Sequence, residues 1–277
     1  MQAVAQKVLD KLNEEFWDEL CGTGLARLVG ITDNSPESLR KFDDAYYDLY
    51  PYLLPLVKPQ SLKGKKVLEI GLGYGTLSQT LAESGCDYHG LDIAEGPVRM
   101  INHRLNYLKL PENARKGNIL ECPFEDDYFD VVVSIGCFHH TGNVQQCFDE
   151  TYRVLKPGGR AVLMVYSKYS FRQWSNNFRK TLGSLFQEKI GLRKLSEKES
   201  YYYDHDSTGR VAPEVILTSI YQLKKMLNRY TQVNFYKQNS DSVMKIPRKW
   251  LLWNLGRLMG LDIYIEARKD KKGSTSV

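Results

Sequence analysis

The sequence predicts an α/β protein, a parallel sheet with helices on both faces. Three observations predict it. From Lys65 onward short apolar runs alternate with helical segments, the pattern of strands joined by crossover helices. The stretch VLEIGLGYG (67–75) reads as a strand that ends in a carboxylate, Glu69, and a glycine-rich turn. Asp92 closes the next strand about twenty residues further on, where a carboxylate can take both hydroxyls of a ribose.

The elements follow in order. Residues 1–60 form a helical N-terminal segment with periodic stretches at Val4–Leu20, Pro36–Tyr50 and Pro51–Val57, the last interrupted by prolines at 51, 55 and 59. The core, 61–167, has strands at Lys66–Ile70, Tyr88–Ile93, Ala114–Asn118, Phe129–Ile135 and Arg160–Tyr166. Helices Thr76–Ser84, Gly96–Leu108 and Val144–Leu155 lie between them. Residues 168–212 are polar and aromatic, and read as an insertion that caps the carboxyl edge of the sheet. The part from 213 to 270 returns to the core with helix Pro213–Tyr230, strand Gln232–Lys237, helix Pro247–Met259 and strand Leu261–Ala267. Residues 271–277 read as a solvated, disordered tail.

Composition narrows the function classes. The chain has 277 residues, 42% of them hydrophobic, and a net charge of +5. No apolar run of about 18 residues exists, so no transmembrane helix is expected. The N-terminus lacks the apolar centre of a signal peptide. The basic residues form no dense stripe, which argues against nucleic acid as a partner. The five cysteines form no CxxC pair, which argues against a disulfide framework and a zinc site and suits a reducing cytoplasm.

In open α/β sheets ligands bind beyond the carboxyl ends of the strands. Those ends carry Glu69 with the glycine turn, then Asp92, then Asn118-Ile119, then Gly136-Cys-Phe-His-His140. The turn is GxGxG, and Thr76 stands where a dinucleotide fingerprint has its third glycine. A carboxylate at Glu69 repels a diphosphate and welcomes a cation. S-adenosylmethionine (SAM) carries an ammonium and a sulfonium and no phosphate, so the site favours SAM over NAD(P).

With these motifs in order (67–75, GLDIA at 90–94, the run 117–143 and RVLKPGGR at 153–160) the chain resembles the class I SAM-dependent methyltransferases of small molecules over about Leu62–Tyr166. The resemblance implies a seven-stranded Rossmann-like sheet whose last strand, Leu261–Ala267, is inserted antiparallel. It implies that Glu69, Gly71, Gly73 and Gly75 line the methionine end of SAM. Asp92 would hold the ribose, Ile93 and Ile119 would pack on adenine, and Asn118, where relatives usually have Asp, would accept from the adenine amine. The product would be S-adenosylhomocysteine.

Methyl transfer needs alignment and exclusion of water, and a base if the acceptor is a hydroxyl. His140 is the candidate base, with His139 second; both also read as wall residues. Asp92 also reads as a helix N-cap. Phe138, Phe171, Trp174 and Tyr201, Tyr202 and Tyr203 are the candidate substrate wall. The sequence Asp204-His205-Asp206 is not read as a metal site. Trp17 and Cys21, with Asp43–Tyr50, read as a segment closing over the cofactor, with Tyr46 or Tyr47 in contact. WLLWNLGRLM (250–259) reads as a buried helix, or as a membrane or lipid contact. The expected function is a cytoplasmic methyltransferase acting on a small organic acceptor through oxygen. The alternatives are a lipid or quinone methyltransferase at the membrane surface, a non-catalytic SAM-binding protein and an NAD(P)-dependent reductase. Oligomeric state is not legible.

Overall fold

The computed structural model of the protein describes residues 2–188, 191–241 and 246–270, so the expected tail 271–277 lies outside it. Four helices come first: α1 Gln2–Trp17, α2 Thr23–Leu28, α3 Pro36–Leu49 and α4 Leu53–Val57. The Ser35 hydroxyl caps α3, and Pro36 starts it where no N–H is missed. Pro55 does not break α4, because it sits in the first turn, where no helical hydrogen bond is lost.

The core continues as β1 Lys66–Ile70, α5 Thr76–Glu83, β2 Asp87–Asp92, α6 Glu95–Tyr107, β3 Ala114–Lys116, β4 Phe129–Ile135, α7 Val144–Val154 and β5 Leu155–Tyr166. The third strand stops short of Asn118, whose side-chain oxygen instead caps the following turn by accepting from the Leu120 N–H. The fifth strand begins earlier than expected. It pairs Leu155 with Phe129, then slips so that Arg160 faces Val131, and the slip absorbs Pro157-Gly158-Gly159.

After β5 come α8 Phe171–Asn176, α9 Phe178–Phe186, β6 Arg193–Lys194, α10 Glu197–Ser200, β7 Ile216–Leu217, α11 Ile220–Met226, β8 Tyr230–Gln238, α12 Arg248–Trp253, α13 Leu255–Met259 and β9 Asp262–Lys269. The expected helix 213–230 is therefore corrected. Its β-branched start runs extended and pairs with β6, and the helix begins only at Ile220, behind a Ser219–Gln222 capping box. The expected helix 247–259 is two helices, broken at Asn254, which seats Gly256 close against the Asn239 carbonyl.

The seven-stranded sheet has the order β3-β2-β1-β4-β5-β9-β8. β1 to β5 are parallel, and β9 is antiparallel to both neighbours. Alternate strand residues feed opposite faces: Leu68 and Val132 join one buried cluster, Val67, Val131 and Val133 the other. Strand order reverses between β1 and β4, and the crevice beyond their carboxyl ends is where the site lies. Among the described residues no helix is long and apolar enough to cross a membrane.

Candidate active site

The glycine turn after β1 is held in a shape that L-residues resist. Gly71, Gly73 and Gly75 have φ of +80°, +54° and +85°. Two bonds tie the turn to the end of β2. The Gly71 N–H donates to the Leu91 carbonyl at 2.9 Å, and the Leu72 N–H donates to Asp92 Oδ2 at 2.7 Å. The other Asp92 oxygen accepts from the Ala94 N–H at 3.0 Å, so this carboxylate organises both loops of the site. Behind the turn, buried Arg104 pairs with Asp43 at 2.8 Å, and Asp43 also accepts from the Thr76 hydroxyl, which fastens α3 to α5 and α6. A Cβ at Gly75 would lie 2.0 Å from the Ile101 side chain. Gly75→Ala is therefore expected to lower unfolding stability by about 2–4 kcal/mol, through a strained φ and overpacking together. Chemical denaturation measures it, and a loss under about 0.5 kcal/mol, the size of an ordinary surface change, would mean the turn is soft.

The turn opens onto a cavity of about 1070 Å³, counting its mouth. Its lining includes Glu69, Gly71, Gly73, Gly75, Asp92, Ile93, Asn118, Ile119 and His140, which the structure thus brings together from four strand ends. It also includes Asp10, Asn13, Trp17, Cys21 and Tyr46 from the N-terminal segment. Among the described residues three carboxylates, Asp10, Glu69 and Asp92, face this space, and no lysine or arginine does. Burial raises the Glu69 carboxyl to about 7, against the pull of the Ser78 and Tyr88 hydroxyls. Burial raises Asp92 to about 6, against its backbone N–H donors. The buried Asn13 Oδ1 has no partner. A diphosphate has no counter-charge here, whereas a cationic, phosphate-free nucleoside meets carboxylates and an unspent acceptor. SAM fits that description.

Residues 68–163 match the family model described as a methyltransferase domain. Over residues 68–163 the chain is thus similar to the class I SAM-dependent methyltransferase domains.

A demethylmenaquinone methyltransferase of Tropheryma whipplei is 30% identical over 105 residues, 38% of this chain and 43% of that protein. Phosphoethanolamine N-methyltransferase 2 of Caenorhabditis elegans is 31% identical over 138 residues, 48% of this chain and 30% of that protein. The chain thus matches less than half the length of each of these relatives. A crystal structure of a putative methyltransferase from Bacillus halodurans superposes with a TM-score of 0.52 at 17% identity, covering 79% of this chain and 99% of that one. At that identity it speaks for the fold.

The structure separates the two adjacent histidines, His139 and His140. His140 lines the cavity, packs against the Trp17 ring at 4.7 Å, and has Nδ1 2.7 Å from the Glu214 carbonyl. That carbonyl only accepts, so Nδ1 carries the proton and Nε2 keeps its lone pair in the neutral ring. Nε2 faces Asp204 Oδ2 at 3.6 Å, and Asp204 in turn accepts from the Tyr166 hydroxyl at 3.0 Å. Burial lowers the His140 pKa against the raising effect of Asp204. His139 does not line the cavity. It is fully buried against the Tyr166 ring at 3.8 Å, with neither ring nitrogen partnered, and burial holds it neutral.

The expected substrate wall is not assembled around this space. Phe138 packs on Phe148 in the core. Tyr201 and Tyr202 are exposed, Tyr203 packs on Tyr166, and Phe171 and Trp174 lie on α8; none of them lines the cavity. Tyr46 lines it, but Tyr47 turns away to bond Thr80 and the Thr76 carbonyl. His205 stacks on Tyr201, and Asp206 bonds within its own turn, so only Asp204 of that trio points inward. One ligand atom each from His139, His140 and Asp204 lies within 4.8 Å of the others.

Asp10 and Asn13 escaped the sequence reading. Asp10 accepts from Asn118 Nδ2 at 2.9 Å, and Asn13 donates to the His140 carbonyl at 2.9 Å. They lie more than a hundred residues from those partners, inside an ordinary amphipathic pattern, so no local signal marks them.

Ionisation gives a further expectation. A bound cation keeps Glu69 charged, whereas the free domain takes up a proton there below about pH 7. SAM affinity is expected to fall as pH drops from 8 to 5.5, by up to about tenfold per unit once below 7, and Asp92 steepens the fall below about 6. Calorimetric titration across that range checks it, and a flat profile would remove Glu69 from the contact.

Proposed function

We propose that this protein transfers the methyl group of SAM to an oxygen of a small organic acceptor, with His140 receiving the acceptor's proton. The orientation of His140 carries the proposal. His140 lines the cavity, and as a neutral imidazole with its Nδ1–H held by the Glu214 carbonyl it keeps an unprotonated Nε2.

Glu69 and the glycine turn would hold the amino-acid end of SAM, Asp92 the ribose, and Ile93 and Ile119 the adenine. Asn118 has one side-chain oxygen lone pair left for the adenine amine, with Asp10 beside it as a stronger acceptor. SAM supplies an electrophilic methyl group on sulfur. The protein's share is alignment, a dry site under α1 and α3, and a place for the proton. As His140 takes that proton, Asp204, 3.6 Å away, stabilises the imidazolium, and the Tyr166 hydroxyl orients Asp204.

The relatives named above methylate quinone and amine compounds by their names, so the acceptor atom is what the test must read. Purified protein is titrated with SAM, S-adenosylhomocysteine and NADH, then incubated with methyl-labelled SAM and matched phenol, alcohol, amine and quinol acceptors. Label on oxygen, with both adenosyl ligands bound and NADH not, is the expected outcome. Label only on carbon or nitrogen would replace the oxygen reading. SAM binding without turnover on any acceptor would favour a binding role.

A further inference from the structure

Helix α9 is built inside out. It buries Thr181 (0% exposed) and Ser184 (9%), while Phe178 (57%), Leu182 (40%), Leu185 (46%) and Phe186 (84%) face outward. The four outward residues fall at i, i+4, i+7 and i+8, one continuous stripe. A water-facing helix has the opposite pattern, and a contiguous apolar stripe of this kind marks a contact surface. The buried polar side is satisfied internally: the Thr181 hydroxyl donates to the Gln173 carbonyl, and the Ser184 hydroxyl to the Lys180 carbonyl. The helix is therefore fixed with its apolar side out.

A second patch lies at the same edge of the sheet. Helix α12 buries Leu251 and Leu252 and exposes Trp250 (57%) and Trp253 (45%). β5 and β8 are both antiparallel to β9, so they run the same way, and the segments leaving their ends emerge at the carboxyl edge. Arg172 on α8 joins them by pairing with Asp241, its Nε donating at 2.8 Å.

Charge selects the occupant. Between Phe171 and Gln187, and between Ile246 and Leu261, the chain has no Asp or Glu, only Arg172, Arg179, Lys180, Arg248, Lys249 and Arg257 as charged residues. Arg179, Lys249 and Arg257 are exposed, with no ion pair among the described residues, and the Arg257 guanidinium lies over the Trp253 ring at 4.4 Å. Exposed Trp, Phe and Leu set among unpaired cations match the interface of an anionic bilayer, where aromatic and apolar groups enter the headgroup boundary and cations meet lipid phosphates.

We propose that the outward sides of α9 and α12, on the segments that leave the sheet at its carboxyl edge, dock the protein on an anionic lipid surface, so that this edge, where the cavity lies, is held at the membrane. The proposal does not depend on which acceptor atom is methylated.

The test is flotation of the full chain with vesicles of phosphatidylcholine alone and of phosphatidylcholine with phosphatidylglycerol. Binding to the anionic vesicles, released by high salt and at least about tenfold weaker on the neutral ones, is expected. Leu182→Ser with Phe186→Ser should lower vesicle binding roughly a hundredfold, and Trp250→Ser with Trp253→Ser by at least tenfold. Arg179→Glu with Lys249→Glu should abolish the preference for anionic lipid. SAM titration of each variant reports that it is folded, and it reads the cofactor site independently of docking. No flotation with either vesicle would overturn the proposal. So would a dimer that Phe186→Ser dissociates, because a second copy would then cover the stripe.

Discussion

Asp92→Ala is expected to weaken SAM binding by about 10²–10⁴-fold. A carboxylate accepting from two ribose hydroxyls contributes about 1.5–3 kcal/mol per bond, and both bonds go with the side chain. The structure adds a second consequence. Asp92 also accepts from the Leu72 and Ala94 N–H groups, so alanine leaves two backbone donors unpaired beside the cavity. Each orphaned donor costs about 1–3 kcal/mol, and the variant should unfold at lower denaturant as well. Asp92→Asn separates the two effects. It keeps one side-chain oxygen for one loop N–H and loses the charge, so stability should recover more than SAM affinity does. Calorimetry on protein shown to be folded decides. Undiminished SAM affinity in either variant would move the ribose site away from Asp92 and leave this residue as the loop anchor alone.

His140→Ala is expected to lower kcat by about 10²–10⁴ while SAM affinity stays within a few fold, because the role proposed for the ring is to hold the acceptor's proton. A loss under tenfold would leave His140 as a wall residue. Asp204→Asn gives the matching sign. The Asp204 charge raises the His140 pKa against burial, so its removal should lower that pKa. The base acts when neutral, so activity rises with pH through the His140 pKa. In Asp204→Asn the acid limb of the kcat/KM profile should therefore move to lower pH while the plateau falls. A plateau loss with no shift of the limb would make Asp204 a structural partner of Tyr166 only.

The core was legible because its signals are local. The alternation that set β1, β2 and β4, the GxGxG turn and the acidic strand ends each lie within a few residues, and the structure has them at those positions. Glu69 and Asp92 meet at one cavity because the strands that carry them are neighbours in the sheet. The part after Tyr166 was less legible. The run from Val215 reads as helix by itself and turns extended because it pairs with a strand more than twenty residues earlier. The aromatic residues after Tyr166 looked like a substrate wall because aromatic composition does not say which way a ring faces, and here Tyr201 and Tyr202 face solvent.

The amino-acid sequence by itself determined the α/β class, the cofactor type and the strand-end residues that line the cavity, since strand period, glycine conformation and carboxylate charge act over short stretches of chain. The tertiary structure alone decided which histidine faces the cavity, that Asp10 and Asn13 join it with Asp204 against His140, and that α9 carries its apolar side outward. Those outcomes depend on which distant segments pack together, and burial, partner atoms and the direction of a side chain exist only once they have.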